Sequence, residues 1–301
     1  MTNPVSEAAA NVARGEAPKV TVDPRLARWP SFGPERHLGQ LHPDYQQMLA
    51  DERAGLTLED CDFYHSVELS DGTAIAAPWD LRGREREYLG NVDFAGKRVL
   101  ELGPATGHLS YFMERAGADV VAFDVGYEVS MDLMPTPLPD IRQLRLDHAT
   151  NVTRSQNAWW FLHRDYASSA RMIFGDIYAL PGDIGEFDVS VFGAILLHLK
   201  SPIAALEQAA RRTRSTIVVT EPWAYAAEQL HENIMRPFPL GEGGRWVIWW
   251  SISAGAVVRM LDALGFTRCQ VITHKQSHQF GHVPGSPYQD IDMFTVVGHR
   301  E

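Results

Sequence analysis

The segment from Lys97 to Gly117 limits what this chain can fold into more than any other. Residues 97–102 read as a short apolar strand, and Gly103 ends it. Residues 108–116 then have helical spacing, with Leu109, Phe112 and Met113 on one face, and Gly117 stops the helix. Between them lies Gly103-Pro104-Ala105-Thr106-Gly107. Glycines at a strand-to-helix turn let a ligand approach the backbone, and the helix N-terminus offers free N–H donors.

The same grammar continues downstream. Strands are expected at 119–123, 171–174, 187–192 and 215–220, with a helix at 202–212 between the last two. A helix at 253–264, closed by Gly265, precedes a terminal hairpin pair at 268–273 and 292–297. Strands alternating with helices imply βαβ units and a mostly parallel sheet covered on both faces. The expected fold class is therefore α/β, a doubly wound sheet of seven strands over residues 86–301. Upstream, residues 1–22 read as a frayed arm, and a short helix is expected at 43–54. Residues 1–85 together form an N-terminal arm or cap. Two stretches, near 126–170 and 224–250, hold more chain than a crossover needs and are candidate lids over a substrate.

Composition narrows the function. Of 301 residues, 45% are hydrophobic, enough for a full core. With 27 basic and 38 acidic residues the net charge is −11. That balance weighs against a nucleic-acid partner, whose grip is built largely from Lys and Arg, and suits a cationic small molecule. Two distant cysteines, Cys61 and Cys269, make neither a disulfide framework nor a zinc cluster. The longest uncharged run, residues 246–258, contains charge-free but serine-bearing sequence too short for a bilayer. No apolar h-region follows Met1, so a cytoplasmic protein without a membrane partner is expected.

The loop itself excludes one reading. A dinucleotide fingerprint needs Gly-x-Gly-x-x-Gly, but Ala105 and His108 hold its second and third glycine positions. Asp124, at the end of the second strand, stands where an acid accepts hydrogen bonds from both hydroxyls of a ribose. Gly175-Asp176-Ile177 ends the third strand, where a carboxylate meets an exocyclic amine.

Taken in order, residues 99–107, Asp124, Gly175-Asp176, residues 187–192 and residues 216–222 resemble the class I, Rossmann-like, S-adenosylmethionine-dependent methyltransferases. The resemblance covers residues 86–301. It implies S-adenosylmethionine as cofactor, held by Glu101, Gly103, Pro104, Gly107, Asp124, Val125, Asp176, Ile177 and Gly193. Residues 64–72, Trp79-Asp80, residues 113–118 and Leu196-Leu197-His198-Leu199-Lys200-Ser201-Pro202 resemble one subgroup more closely. That subgroup contains the tRNA wobble-uridine carboxymethyltransferase and many small-molecule methyltransferases of bacterial secondary metabolism. Gly193-Ala194-Ile195 replaces the Asn/Asp-Pro-Pro-Tyr/Phe motif of DNA-adenine and protein-glutamine methylation. The implied reaction is methyl transfer to a hydroxyl or amine of a small metabolite, with a sugar or aminosugar of antibiotic biosynthesis as the sharper expectation. Carboxymethyl-type tRNA modification and a non-catalytic S-adenosylmethionine-binding module are the alternatives, and homodimerisation is compatible with any of them.

Methyl transfer from a sulfonium needs in-line alignment and, for a protonated nucleophile, a base. His198 follows the fourth strand and is either that base or a histidine hydrogen-bonded to backbone. Glu221, ending the fifth strand, either holds an amine or caps the next segment. His65, in the arm, either contacts substrate or simply packs. His274, His278 and His282 recur every fourth residue, but Gly281 and Pro284 argue for a loop, and solvent- or substrate-facing histidines are expected there rather than a metal. Residues 159–161 and Trp246, Trp249 and Trp250 fall in the two insertions and read first as core. Arg211, Arg212 and Arg214 read as a solvated helix end.

Overall fold

The computed structural model describes residues 39–126, 132–133, 141–223, 229–237, 247–279 and 286–300. In chain order its first elements are α1 (Pro43–Glu52), β1 (Val67–Glu68), β2 (Ala74–Ile75), β3 (Trp79–Asp80) and α2 (Glu85–Tyr88). Next come β4 (Arg98–Leu102), α3 (His108–Arg115), β5 (Asp119–Val125), α4 (Ile141–Asp165), β6 (Arg171–Gly175) and β7 (Phe187–Gly193). The chain continues through α5 (Pro202–Ala210), β8 (Thr213–Pro222), β9 (Met235–Pro237) and β10 (Trp250–Ile252). It ends with α6 (Ala254–Ala263), β11 (Arg268–His278) and β12 (Gln289–His299).

The main sheet has eight strands in the order β3-β11-β12-β8-β7-β4-β5-β6. Pairing is parallel from β8 to β6 and antiparallel around β12 and β11. Seven of these strands are the expected ones. The eighth, β3, is a correction: Trp79 and Asp80 pair with His278 and Ser277 because β11 runs five residues past its expected end. His274 and His278 therefore lie on a strand and not in a loop. His282 and residues 1–22 lie outside the described residues.

Parallel strands buried on both faces need apolar residues at successive positions, and alternate residues sort into two cores. Leu100, Leu102, Val121 and Phe123 meet Leu206 of α5 and Val257 of α6 on one face. Val99, Val120 and Ala122 meet Leu109 and Met113 of α3 and Trp159 and Leu162 of α4 on the other. The stretch at 126–170 is thus no bare lid, because α4 fills most of it and its last turns are core. Trp159 and Trp160 are buried there, as expected. In the second stretch β9 and β10 pair as a short hairpin, while Trp246 lies outside the described residues.

The upstream segment is strapped along α4. Arg154 donates to Asp62 at 2.8 Å and to the Cys61 carbonyl at 3.1 Å. Arg164 donates to the Ala54 carbonyl at 2.7 Å, and Ser70 N–H to Asp165 at 2.7 Å. Among the described residues no helix is long and apolar enough to cross a membrane.

The chain steps from β4 outward to β5 and β6, then returns to lay β7 and β8 on the other side of β4. This reversal opens a crevice at the carboxyl ends of β4 and β7, the position where open α/β sheets bind ligands.

Candidate active site

Five adjacent parallel strands deliver the expected residues to one edge. Gly103, Pro104 and Gly107 follow β4, and Asp124 and Val125 end β5. Asp176 and Ile177 follow β6, Gly193 ends β7 with His198 just beyond it, and Glu221 lies near the end of β8.

The loop after β4 is a tight backbone cradle. Gly103 donates to the Phe123 carbonyl and Gly107 to the Pro104 carbonyl, at 2.9 and 2.8 Å. Gly103 and Gly107 have φ of +73° and +85°, the left-handed region that side chains resist. Space forbids side chains too. A Cβ on Gly103 would strike the Ile195 side chain, and one on Gly107 would lie 2.5 Å from Trp159 Cδ1. Even Ala105 is left-handed, at +49°. Alternating backbone handedness of this kind turns N–H groups toward a common anion or hydroxyl.

Glu101 supports that loop from inside. Its carboxylate accepts the Ser110 hydroxyl, and Ser110 Oγ in turn accepts Trp159 Nε1–H at 3.2 Å. Burial pushes its pKa to about 7, against the Ser110 hydrogen bond, with the Asp124 charge adding to the rise. Glu101 is 3% exposed, so the structure gives it a role in loop shape.

Asp124 is more open. Val125 N–H donates to Oδ1 at 2.8 Å, and Gln156 Nε2 of α4 donates to Oδ2 at 3.0 Å. Burial lifts its pKa to about 6 despite both bonds. Asp176 accepts Tyr178 N–H at 2.9 Å in its own turn, and Ile177 packs against the core beside it. Gly193 leaves room for Tyr88, whose hydroxyl would sit 3.3 Å from a Cβ there.

His198 lies in a 3-10 turn, Leu196–His198, half-buried at the same edge. Its Nδ1 is 2.7 Å from the Val247 carbonyl. A carbonyl only accepts, so Nδ1 carries the proton and Nε2 keeps a lone pair. Burial holds the imidazole below its usual pKa, against the pull of Val247. His148 of α4 is lowered by burial and by the neighbouring His198, which puts a second neutral imidazole close by.

Glu221 makes a capping contact, one of the two roles open to it. Its carboxylate accepts Leu196 N–H at 2.7 Å, and the residue is 1% exposed. Burial raises its pKa to about 8, opposed by the amides of Leu196, Leu197 and Ile195. It holds the turn that carries His198. His65 behaves similarly. Its Nδ1 is 3.3 Å from Thr106 Oγ1 on the loop, and it is 8% exposed. Burial, with His108 adding, lowers its pKa to about 3, so the ring is neutral and braces the cradle. His108 pairs with Glu85 at 3.1 Å, tying the arm to the start of α3.

His274 is buried against Thr295, 2.9 Å away, and accepts Gln276 Nε2–H at 3.0 Å, while His278 packs on Trp79. No group of three metal-ligating side chains exists among the described residues. Gln156, His148 and Tyr88 were not expected at the site. Each comes from an element distant in sequence from the strand end it serves, so no local spacing announces it.

Residues 79–271 match the family model described as a methyltransferase domain. No curated protein matches the chain. Among solved structures, the N-terminal domain of EvdMO1 with SAH bound is similar at 16% identity with a TM-score of 0.51, over 87% of this chain and 98% of that one. The 1,6-didemethyltoxoflavin-N1-methyltransferase of Burkholderia thailandensis is similar at 12% identity, TM-score 0.46, over 72% and 78% of the two chains. Magnesium protoporphyrin IX methyltransferase of Synechocystis PCC 6803 follows at 13% identity, TM-score 0.43, over 73% and 82%. The family model spans more than half of the chain, from β3 into β11, and covers the cradle, Asp124, Asp176, His198 and Glu221, so the chain belongs to the methyltransferase-domain family.

Proposed function

We propose that this methyltransferase moves the methyl group of S-adenosylmethionine to a hydroxyl or amine of a small metabolite of sugar or aminosugar type. The observation that carries the reading is the arrangement at the C-terminal sheet edge. A left-handed cradle, an acid suited to a ribose diol and a histidine with a free Nε2 lone pair follow successive parallel strands. One solved structure similar to this fold, the N-terminal domain of EvdMO1, is described with SAH bound, which fits the same assignment.

S-adenosylmethionine supplies an electrophilic methyl, so the chain need only bind, align and remove a proton. The cradle at 103–107 lets the cofactor's backbone-facing atoms approach, and Asp124 accepts the ribose hydroxyls. Asp176 and Ile177 serve the adenine end, and Glu101 and Gly193 shape the cleft. His198 Nε2 takes the proton of the acceptor as the new bond forms, a contribution worth ~10²–10⁴-fold in rate. The acidic balance of the chain, −11, supports an uncharged or cationic acceptor over RNA.

The test is formation of S-adenosylhomocysteine with a panel of polyols, aminosugars and tRNA. Turnover with a sugar or aminosugar is expected. Turnover with tRNA alone, or cofactor binding without turnover on any acceptor offered, overturns the reading in favour of the alternatives.

A further inference from the structure

β6 ends the main sheet, with β5 on one side and, among the described residues, no strand on the other. Alternate residues of a strand aim their N–H and C=O groups at opposite neighbours. Those of Met172 and Phe174 point away from β5, and two glutamine side chains take them up. Gln40 Nε2 donates to the Phe174 carbonyl at 2.8 Å, and Phe174 N–H donates to Gln40 Oε1 at 2.8 Å. Gln46, early in α1, repeats the pattern: its Nε2 donates to the Met172 carbonyl at 2.7 Å, and Met172 N–H donates to its Oε1 at 3.1 Å. Gln46 Nε2 also joins the two glutamines, donating to the Gln40 carbonyl at 2.7 Å. Leu49, further along α1 and 1% exposed, seats the helix in the core.

A primary amide carries the same donor and acceptor as a peptide unit, so each glutamine imitates one residue of a neighbouring strand. β6 needs such a cover. An edge strand is a template for another chain, and Arg171-Met172-Ile173-Phe174-Gly175 holds one charge, at its first position. A second β6 fits the same groups. In antiparallel pairing about a twofold axis at Ile173, Met172 of each copy faces Phe174 of the other, and such a pair exchanges both N–H···O bonds. Arg171 then lies opposite Gly175, so no like charges meet. The groups that a second copy would bind are those that Gln40 and Gln46 hold. We propose that β6 is a self-pairing edge for a second copy of this chain, and that Gln40 and Gln46 compete for it from within the molecule. The two occupants exclude one another, because a paired strand must approach to ~4.8 Å.

The test is the double variant Gln40→Glu/Gln46→Glu at neutral pH, which keeps the size of both side chains but sets a carboxylate oxygen against each strand carbonyl. Amide hydrogen exchange is followed together with mass by light scattering over a range of protein concentrations. In wild type the Met172 and Phe174 amides are expected to be protected. In the variant at low concentration they should exchange about tenfold faster, as for loss of a net hydrogen bond at each. As concentration rises, mass should climb toward twice the wild-type value while protection returns at those same amides. If the double variant yields too little folded protein, Gln40→Glu alone, outside α1, gives the same readouts at Phe174. Rapid exchange of both amides in wild type, or unchanged exchange in the variant, overturns the covering role of the glutamines. A variant that keeps the wild-type mass, or that associates without protecting those amides again, overturns the second copy as occupant.

Discussion

Asp124→Ala tests the cofactor end of the site, and it should change affinity far more than stability. A hydrogen bond to a charged group contributes ~1.5–3 kcal/mol. At ~1.4 kcal/mol per decade, losing the carboxylate should weaken S-adenosylhomocysteine binding by about 10- to 150-fold. Stability should move far less. The alanine leaves Val125 N–H without its 2.8 Å acceptor, and an unsatisfied buried donor costs ~1–3 kcal/mol. Gln156 Nε2 keeps the Val125 carbonyl at 3.2 Å, so it is not orphaned. Against that cost stands relief of a carboxyl raised to about 6 by burial. Moving an acid from ~3.9 to that value costs the fold roughly 3 kcal/mol once it is ionised, at 1.36 kcal/mol per tenfold. At pH 8 the two terms nearly cancel. Calorimetric titration paired with thermal unfolding is the assay: a large loss of affinity with little change in Tm is expected. Undiminished affinity in a folded variant refutes the ribose role of Asp124. A fall in affinity matched by a large fall in Tm refutes the separation of the two terms.

Other outcomes follow from the same contacts. His198→Asn keeps an N–H for the Val247 carbonyl but has no Nε2, so turnover should fall ~10²–10⁴-fold with S-adenosylhomocysteine affinity within a few fold; normal turnover at every pH would remove His198 from the chemistry. Glu221→Gln places an NH₂ among backbone N–H donors and should lower stability by ~1–3 kcal/mol in denaturant unfolding, and an unchanged midpoint would refute its capping role. Glu101, Asp124 and Glu221, raised to about 7, 6 and 8, destabilise the fold as pH rises from their ordinary ~4 up to those values, because the unfolded chain ionises them first. His65 and His274, lowered to about 3 and 4, contribute stability that is lost as pH falls below their ordinary ~6.5. Above about pH 6.5 both histidines are neutral folded and unfolded, so Tm should fall between about pH 6.5 and 8, and a Tm that rises across that window would contradict these assignments.

Much of the sheet was legible because parallel strands covered on both faces leave continuous apolar runs. Val99-Leu100, Val120-Val121-Ala122-Phe123 and Ile217-Val218-Val219 need no partner to be read as strands. What escaped depends on partners far away. The two residues of β3 form a strand only because β11 offers them an open edge. The end of β11 reads as loop because His274 and Gln276 are polar, yet Thr295 and their mutual hydrogen bond let both be buried. The 25 residues of α4 alternate between solvent-facing first turns and a core-facing end, so no single face dominates their pattern.

Asp124 and Glu221 show where local reading of a site stops. Each is a carboxylate near the C-terminal end of a parallel strand, and from sequence alone either suits a ligand. Their fates differ because of the chain that follows the neighbouring strands. Beyond β7 the backbone turns back sharply through residues 195–198, and three of its amides converge on Glu221. A carboxylate met by several N–H groups has few lone pairs left for a ligand, whatever its position on the sheet. Asp124 receives one amide from its own neighbour and one side-chain amide from Gln156, 32 residues further along. It is half-buried at the strand end, and its carboxylate has lone pairs left for further donors. The turn that takes up Glu221 is the one that presents His198. The capping acid thereby holds the histidine where it stands, and loosening that cap should cost catalysis through His198 before it costs cofactor binding.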